Sequence, residues 1–255
     1  MQTVILAGGL GTRLSEETSL KPKPMVEIGD RPILQHIMEI YAAQGEREFI
    51  VALGHLGHMI KRHFMDWQAL GGDLAVDFAT GQVQRHDAPP HDWKVQLVET
   101  GSGTQTGGRV RRLAKFLRKE PFMLTYGDGV CDLDLRALVA FHRKHGKLAT
   151  VTGVHPPARF GEMEVDGDQV RRFDEKPQLK TGWINGGFMV FERSVVDRIA
   201  GDDTVLEKDV LEPLAREGQL MVWKHDGFWQ CMDTLRDVRT LTALWDSGNP
   251  PWRRR

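Results

Sequence analysis

Hydrophobic positions fall into two alternating patterns along the first two thirds of the chain. Val4-Ile5-Leu6-Ala7 is a short unbroken apolar run closed by glycine, which predicts a strand buried on both faces. Arg31-Pro32 then opens a helix with proline in its first turn; Ile33, Leu34, Ile37, Met38 and Tyr41 mark one face and Gly45 ends it. Phe49 to Leu53 repeats the strand pattern, and Met59, Ile60, His63 and Phe64 repeat the helical one. Strand-helix-strand-helix order implies an α/β protein with a parallel sheet and right-handed crossovers.

From Gly71 to Gly108 the pattern loosens around a strand at Lys94 to Glu99. A basic amphipathic helix is expected next, with Val110, Leu113, Phe116 and Leu117 inward. Phe122 to Tyr126 reads as another strand, running into Gly127-Asp128-Gly129. Asp134 is placed to cap a helix whose apolar side is Leu135, Leu138, Val139 and His142, closed by Gly146. Leu148 to Val154 resumes the sheet. Beyond Pro156, Met163–Val165 and Val170–Phe173 alternate about Asp166-Gly167-Asp168, a hairpin signal. Gly187 to Phe191 adds a strand and Leu235 to Trp245 a last amphipathic helix. The ending Pro-Pro-Trp-Arg-Arg-Arg reads as a solvated tail.

One segment does not reduce to core and turn. Ile5 to Pro24 packs glycines, Arg13, and the sequence Lys21-Pro22-Lys23-Pro24 directly behind a buried strand. A P-loop would need glycine followed by Lys and Ser/Thr, which is absent. A dinucleotide fingerprint anchored on Gly9 and Gly11 would need a small residue where Leu14 stands, which disfavours a dehydrogenase. What remains is a glycine-rich turn whose N–H groups can face a phosphate, with Arg13 and Lys23 as cations at the same edge. Pro22 and Pro24 stiffen the backbone on both sides of Lys23.

Charge narrows the partners. The 255 residues carry a net charge of −1, which argues against general nucleic-acid binding, so an anionic ligand must be met by locally placed cations. No apolar run is long enough to span a membrane. Met1 to Ala7 is too short, and lacks the basic lead, for a secretory signal. The two cysteines, Cys131 and Cys231, form no framework; one disulfide is open to them, and reduced thiols in the cytoplasm are the favoured reading.

Leu6-Ala7-Gly8-Gly9-Leu10-Gly11-Thr12-Arg13 with Lys21-Pro22-Lys23-Pro24 resembles the signature of the sugar-1-phosphate nucleotidyltransferases. The resemblance runs on, in order, through Thr106-Gly107-Gly108-Arg109, Thr125-Tyr126-Gly127-Asp128-Gly129, Pro157-Ala158-Arg159-Phe160-Gly161 and Asp174-Glu175-Lys176-Pro177. It continues through Asn185-Gly186-Gly187-Phe188 to Gly227-Phe228-Trp229-Gln230-Cys231-Met232-Asp233-Thr234-Leu235-Arg236-Asp237. It implies a Rossmann-like, mostly parallel sheet flanked by helices, with a smaller mixed β extension in the C-terminal half. One domain is expected: a nucleotide-binding core over 1–155, a sugar-binding β-rich part over 156–234, and a C-terminal helix and tail over 235–255.

The wording points to the branch that joins CTP to glucose 1-phosphate, releasing pyrophosphate. Another nucleotide or hexose, or a catalytically silent sugar-nucleotide sensor, are the alternatives. By this resemblance Leu6, Ala7, Gly8, Gly9, Leu10, Gly11 and Thr12 wrap the nucleotide, Arg13 neutralises the leaving pyrophosphate, and Lys23 sits against the reacting phosphate. Thr104, Arg109 and Gly127 complete the nucleotide contacts, while Glu175, Lys176, Asn185 and Gly186 meet the sugar phosphate. Asp128 and Asp233 hold Mg²⁺. On residue type alone, Asp128 could instead be a turn aspartate, Asp233 a helix cap, and Arg109 part of a solvated face with Arg111 and Arg112. The resemblance also implies a symmetric homo-oligomer, with a hexamer as one expectation, working in the cytoplasm. Two departures stand out: Cys231 replaces the proline common in the family, and Gly101-Ser102-Gly103-Thr104-Gln105 differs from the usual wording of a loop that frames the base.

Overall fold

The computed structural model describes residues 1–14, 18, 20–86, 91–156, 162–166, 168–174 and 182–253, without the side chains of residues 13, 162–165 and 172–174. Seven strands form the main sheet: β1 (Gln2–Ala7), β2 (Glu48–Leu53), β3 (Lys94–Glu99), β4 (Phe122–Tyr126), β5 (Ala149–Val154), β6 (Ile184–Phe191) and β7 (Leu220–His225). Their spatial order is β7-β5-β6-β4-β1-β2-β3. Strands β1, β2, β3 and β4 are mutually parallel where they pair, and β5 is parallel to β7. Strand β6 runs antiparallel to both β4 and β5.

The middle of the sheet is covered on both faces, since its central strands bury side chains on each side. In β1, Ile5 and Ala7 belong to one buried cluster and Val4 and Leu6 to the other, as the two-residue period of a strand requires. The first cluster takes in helix α1 (Ile33–Ala42) through Ile33, Leu34, Ile37, Met38 and Tyr41, the face that spacing predicts. Helix α2 (Gly57–Leu70) contributes Ile60 to the same side. The opposite cluster receives Val110 and Leu113 from the region of helix α3 (Thr106–Arg112), together with Val195, Leu206 and Leu214. Helix α4 (Leu135–His145) starts where Asp134 accepts a hydrogen bond from the Ala137 N–H, and ends at Gly146, whose φ is +63°.

Several expectations need correction. Helix α3 is shorter than its apolar spacing implied: Leu113 caps it, its N–H donating to the Arg109 carbonyl, and the chain turns, leaving Phe116 and Leu117 half-buried outside it. Residues 193–216 contain a 3₁₀ turn, a π-helical turn at Leu206–Leu211 and a short α-helix, none of which the pattern announces. Strand β7 and the hairpin Leu74–Asp77/Gln82–Arg85 were likewise unforeseen. The tail is not solvated at Trp252, which is 2% exposed. Its indole stacks on Phe228 at 5.7 Å and meets His36 edge-on at 5.8 Å. Burial of that large ring outweighs the polarity of its neighbours. The predicted hairpin is present as Glu162–Asp166 paired with Gln169–Asp174; its Gly167 lies outside the described residues.

A candidate phosphate-transfer cleft

Chain crossings from β1 lead to one side of the sheet, through β2 to β3, while β4 lies on β1's other flank. The C-terminal ends of β1 and β4 therefore border the point where strand order reverses, which is where open α/β sheets bind ligands. A cleft of about 500 Å³ opens there.

At its floor the ammonium of Lys23 lies between two carboxylates. It donates to Asp128 Oδ2 at 2.6 Å and to Asp233 Oδ1 at 2.5 Å. Lys23 and Asp233 are buried and Asp128 is half-buried. Each member is placed by its local sequence. Pro22 holds an extended backbone (φ −66°, ψ 146°) and Pro24 falls in the first turn of the 3₁₀ segment Lys23–Met25. A Cβ on Gly127 would come within 2.9 Å of the Pro24 ring, so glycine there lets the lysine segment settle beside the end of β4. Asp128 follows directly, and its carbonyl accepts from the Met232 N–H at 2.8 Å, which ties it to the Asp233 segment.

Asp233 is not the cap of the last helix, α5 (Leu235–Asp246). Thr234 is, in a capping box with Asp237, and Asp237 also accepts from the Asp233 N–H at 3.0 Å. The Asp233 carboxylate is thereby released to face Lys23. Burial works to lower the Lys23 pKa, but the charge of Asp128 and hydrogen bonds to both aspartates outweigh it, and the net direction is upward. Lys23 is a fixed cation.

The glycine-rich turn is shaped by a second buried cation. Arg109 is 4% exposed and donates to the carbonyls of Gly8 at 2.8 Å, Gly101 at 2.7 Å and Leu53 at 3.1 Å, and to Thr100 Oγ1 at 2.8 Å. A Cβ on Gly8 would fall 2.2 Å from Arg109 Nη1, so this contact exists because residue 8 is glycine. The reading of Arg109 as a solvated face with Arg111 and Arg112 is corrected: satisfied by carbonyls, it ties the end of β1 to the loop at 100–102. Gly11 takes φ +66° and its carbonyl accepts from Thr18 Oγ1 at 2.9 Å.

Leu6, Ala7, Gly8, Gly9, Gly11, Thr12, Lys23, Thr104, Arg109, Gly127, Asp128, Asn185, Gly186 and Asp233 all line the cleft, as the sequence reading groups them. Leu10 is exposed and is not part of that lining. The side chain of Arg13 and the whole of Glu175 and Lys176 lie outside the described residues, as does 157–161. On β6, Asn185 Oδ1 accepts from the Gly187 N–H at 2.9 Å. A Cβ on Gly186 would meet Val154 at 2.7 Å, and one on Gly187 would meet the Tyr126 ring at 2.6 Å.

Sequence reasoning missed Glu207. Carried by the π-helical turn, it accepts from the Tyr126 phenol and from Thr106 Oγ1 at 2.9 Å, inside the cleft. Burial, reinforced by the Glu207 charge, pushes the Tyr126 pKa up, so the phenol stays a donor. Only the polarity of Glu207 beside Leu206 hinted at it, too common a signal to single out.

Mg²⁺ fits the residues present at Asp128 and Asp233. One ammonium nitrogen reaches both carboxylates, so their oxygens converge on a single point, and hard oxygen donors are what this ion takes.

The nucleotidyl transferase family matches residues 2–249. The chain is 48% identical over 254 residues, 99% of each, to the glucose-1-phosphate cytidylyltransferase of Salmonella typhi. It is 31% identical over 250 residues to the mannose-1-phosphate guanylyltransferase catalytic subunit beta of Xenopus tropicalis, covering 96% of this chain and 64% of that one. Among solved structures, HddC from Yersinia pseudotuberculosis superposes with a TM-score of 0.71 at 24% identity, covering 96% of this chain and 99% of that one.

Proposed function

The chain belongs to the nucleotidyl transferase family, and on that premise we propose that it joins CTP to α-D-glucose 1-phosphate, giving CDP-glucose and pyrophosphate. Near-full-length identity of 48% to a glucose-1-phosphate cytidylyltransferase supports the choice of substrates. The observation that carries the chemistry is Lys23 held between Asp128 and Asp233 at the mouth of the glycine-rich turn.

An oxygen of the sugar phosphate attacks the α-phosphorus of CTP in line. The new bond joins that oxygen to phosphorus, and the bond to the β-phosphate oxygen breaks, with the electron pair leaving on pyrophosphate. The nucleophile is already anionic, so no general base is needed; the barrier lies in bringing polyanions together. Lys23 neutralises the reacting phosphate, and Arg13 the departing pyrophosphate. Backbone N–H groups from Gly8 to Thr12 face the nucleotide phosphates, their path held by Arg109. Asp128 and Asp233 hold Mg²⁺, which when bound supplies a hard Lewis acid for the phosphate oxygens. Thr104 and Gly127 border the nucleotide, and Asn185, Gly186, Glu175 and Lys176 receive the sugar phosphate. In this reading residues 1–155 bind the nucleotide and 156–234 the sugar.

No helix among the described residues is long and apolar enough to cross a membrane. The family resemblance supports a cytoplasmic homo-oligomer that needs no nucleic acid.

A pyrophosphate-release panel tests the reading, crossing CTP, UTP, dTTP, ATP and GTP with several hexose 1-phosphates, with and without Mg²⁺. Release is expected with CTP and glucose 1-phosphate, dependent on the metal. Preference for another pair would reassign the substrates, and silence with every pair would point to a sugar-nucleotide sensor.

A further inference from the structure

The two-stranded ribbon Gly129–Cys131/Trp229–Cys231 has two chemically different ends. At one end Gly129 pairs with Cys231, next to the carboxylates Asp128 and Asp233. At the other, Cys131 pairs with Trp229, and the Asp132 N–H donates to the Phe228 carbonyl at 3.1 Å. There the Cys131 thiol, the Asp132 carboxylate and the His225 imidazole converge, with one ligand atom from each lying within 4.8 Å of the others.

We propose that Cys131, Asp132 and His225 form a site for a borderline-soft divalent transition metal of the Zn²⁺ class, distinct from the Asp128–Asp233 pair. Sulfur, nitrogen and oxygen donors in one cluster suit such an ion and not Mg²⁺, which takes oxygen. Three protein ligands with a fourth position left to water is a common zinc arrangement. Ligand atoms around tetrahedral zinc sit roughly 3.3–3.8 Å apart, so the triad needs only side-chain adjustment to close.

The backbone leaves room for this. A Cβ on Gly227 would stand 2.5 Å from Asp132 Oδ1 and 2.8 Å from His225 Nε2, so glycine keeps the space beside both donors clear. Access is graded: Cys131 is fully buried, while the side chains of His225 and Asp132 are 13% and 33% exposed. His225 Nε2 and Asp132 Oδ1 are now 2.7 Å apart, in a hydrogen bond that the metal would replace. A bound ion would pin the base of the ribbon whose opposite end carries the site aspartates.

Cobalt titration of the chelator-treated, reduced chain, with excess Mg²⁺ present, decides the matter. Binding of about one Co²⁺ with a thiolate-to-cobalt charge-transfer band, reversed by Zn²⁺, is expected. Cys131→Ser should abolish the band, and Cys231→Ser should keep it. His225→Gln, at the partly exposed rim, should fold without metal and weaken Co²⁺ binding about tenfold or more. It should also lose the Zn²⁺-induced rise in melting temperature expected of the parent chain. Absence of the band in the parent, its loss in Cys231→Ser but not Cys131→Ser, or unchanged affinity in His225→Gln would each overturn the proposal.

Discussion

Lys23 owes its place to two uncharged neighbours, the Pro24 ring and the bare Cα of Gly127. It shares its two carboxylates with any divalent ion that enters, so removing the ammonium should have opposite effects on metal and on rate. Lys23→Met is expected to bind Mn²⁺ several-fold more tightly without substrate, since no cation then competes for Asp128 and Asp233. The same variant should lose about 10²-fold or more in turnover, the scale of one transition-state donor. Calorimetric titration and pyrophosphate release measure the two; parallel losses in both would refute the competition. Arg109 makes a different prediction. Arg109→Ala removes a buried donor shared by the carbonyls of Gly8, Leu53 and Gly101, of which Gly8 and Leu53 keep backbone partners in His55 and Thr100, and should cost about 2 kcal/mol in urea unfolding while raising KM for the nucleotide. An unchanged midpoint would show that water replaces it freely.

Thr234 illustrates how a helix end can serve a site it does not touch. Its hydroxyl accepts from the Asp237 N–H while the Asp237 carboxylate reaches back to residues 233 and 234. Thr234→Ala should therefore destabilise the chain by about 1 kcal/mol, read from thermal unfolding. It should also weaken divalent binding, because the Asp233 backbone loses its anchor; a stability change without a metal effect would separate the two. The cap also shows where sequence reading reached its limit. Asp233 and Thr234 are both good capping residues, and only the observed hydrogen bond decides between them. Helices α1 and α4 were readable because each combines a regular apolar face with a stop signal, Gly45 or Gly146. Strand β7 was not, since it is only half-covered and its apolar run is just four residues, Leu220 to Trp223, before Lys224 and His225. The π-helical turn carrying Glu207 was invisible for a related reason: the pattern of apolar spacing assumes 3.6 residues per turn. Likewise Arg109 reads as surface when its carbonyl partners, up to about a hundred positions away, are unknown.

Four buried or half-buried histidines give the fold a common acid sensitivity. Burial is the leading cause that lowers the pKa of His36, His63, His142 and His145, so the folded chain disfavours the charged imidazole at all four positions. The unfolded chain binds protons at these positions first. Stability should therefore be fully present above the ordinary histidine range near 6.5, and decline as pH falls below it toward the depressed folded values. Melting temperatures at constant ionic strength from pH 8 to 5.5 should show that fall; a level profile would mean the imidazoles ionise without unfolding.

The antiparallel insertion of β6 carries one more consequence, for synthesis rather than catalysis. Strands β1 to β4 can assemble once residue 126 has emerged from the ribosome, yet the only described strand that covers the outer flank of β4 ends at residue 191. During the intervening interval of translation, Phe122, Met123 and Leu124 present a naked, sticky hem, the kind of surface on which a nascent chain recruits chaperones or mispairs with its neighbour on the same messenger.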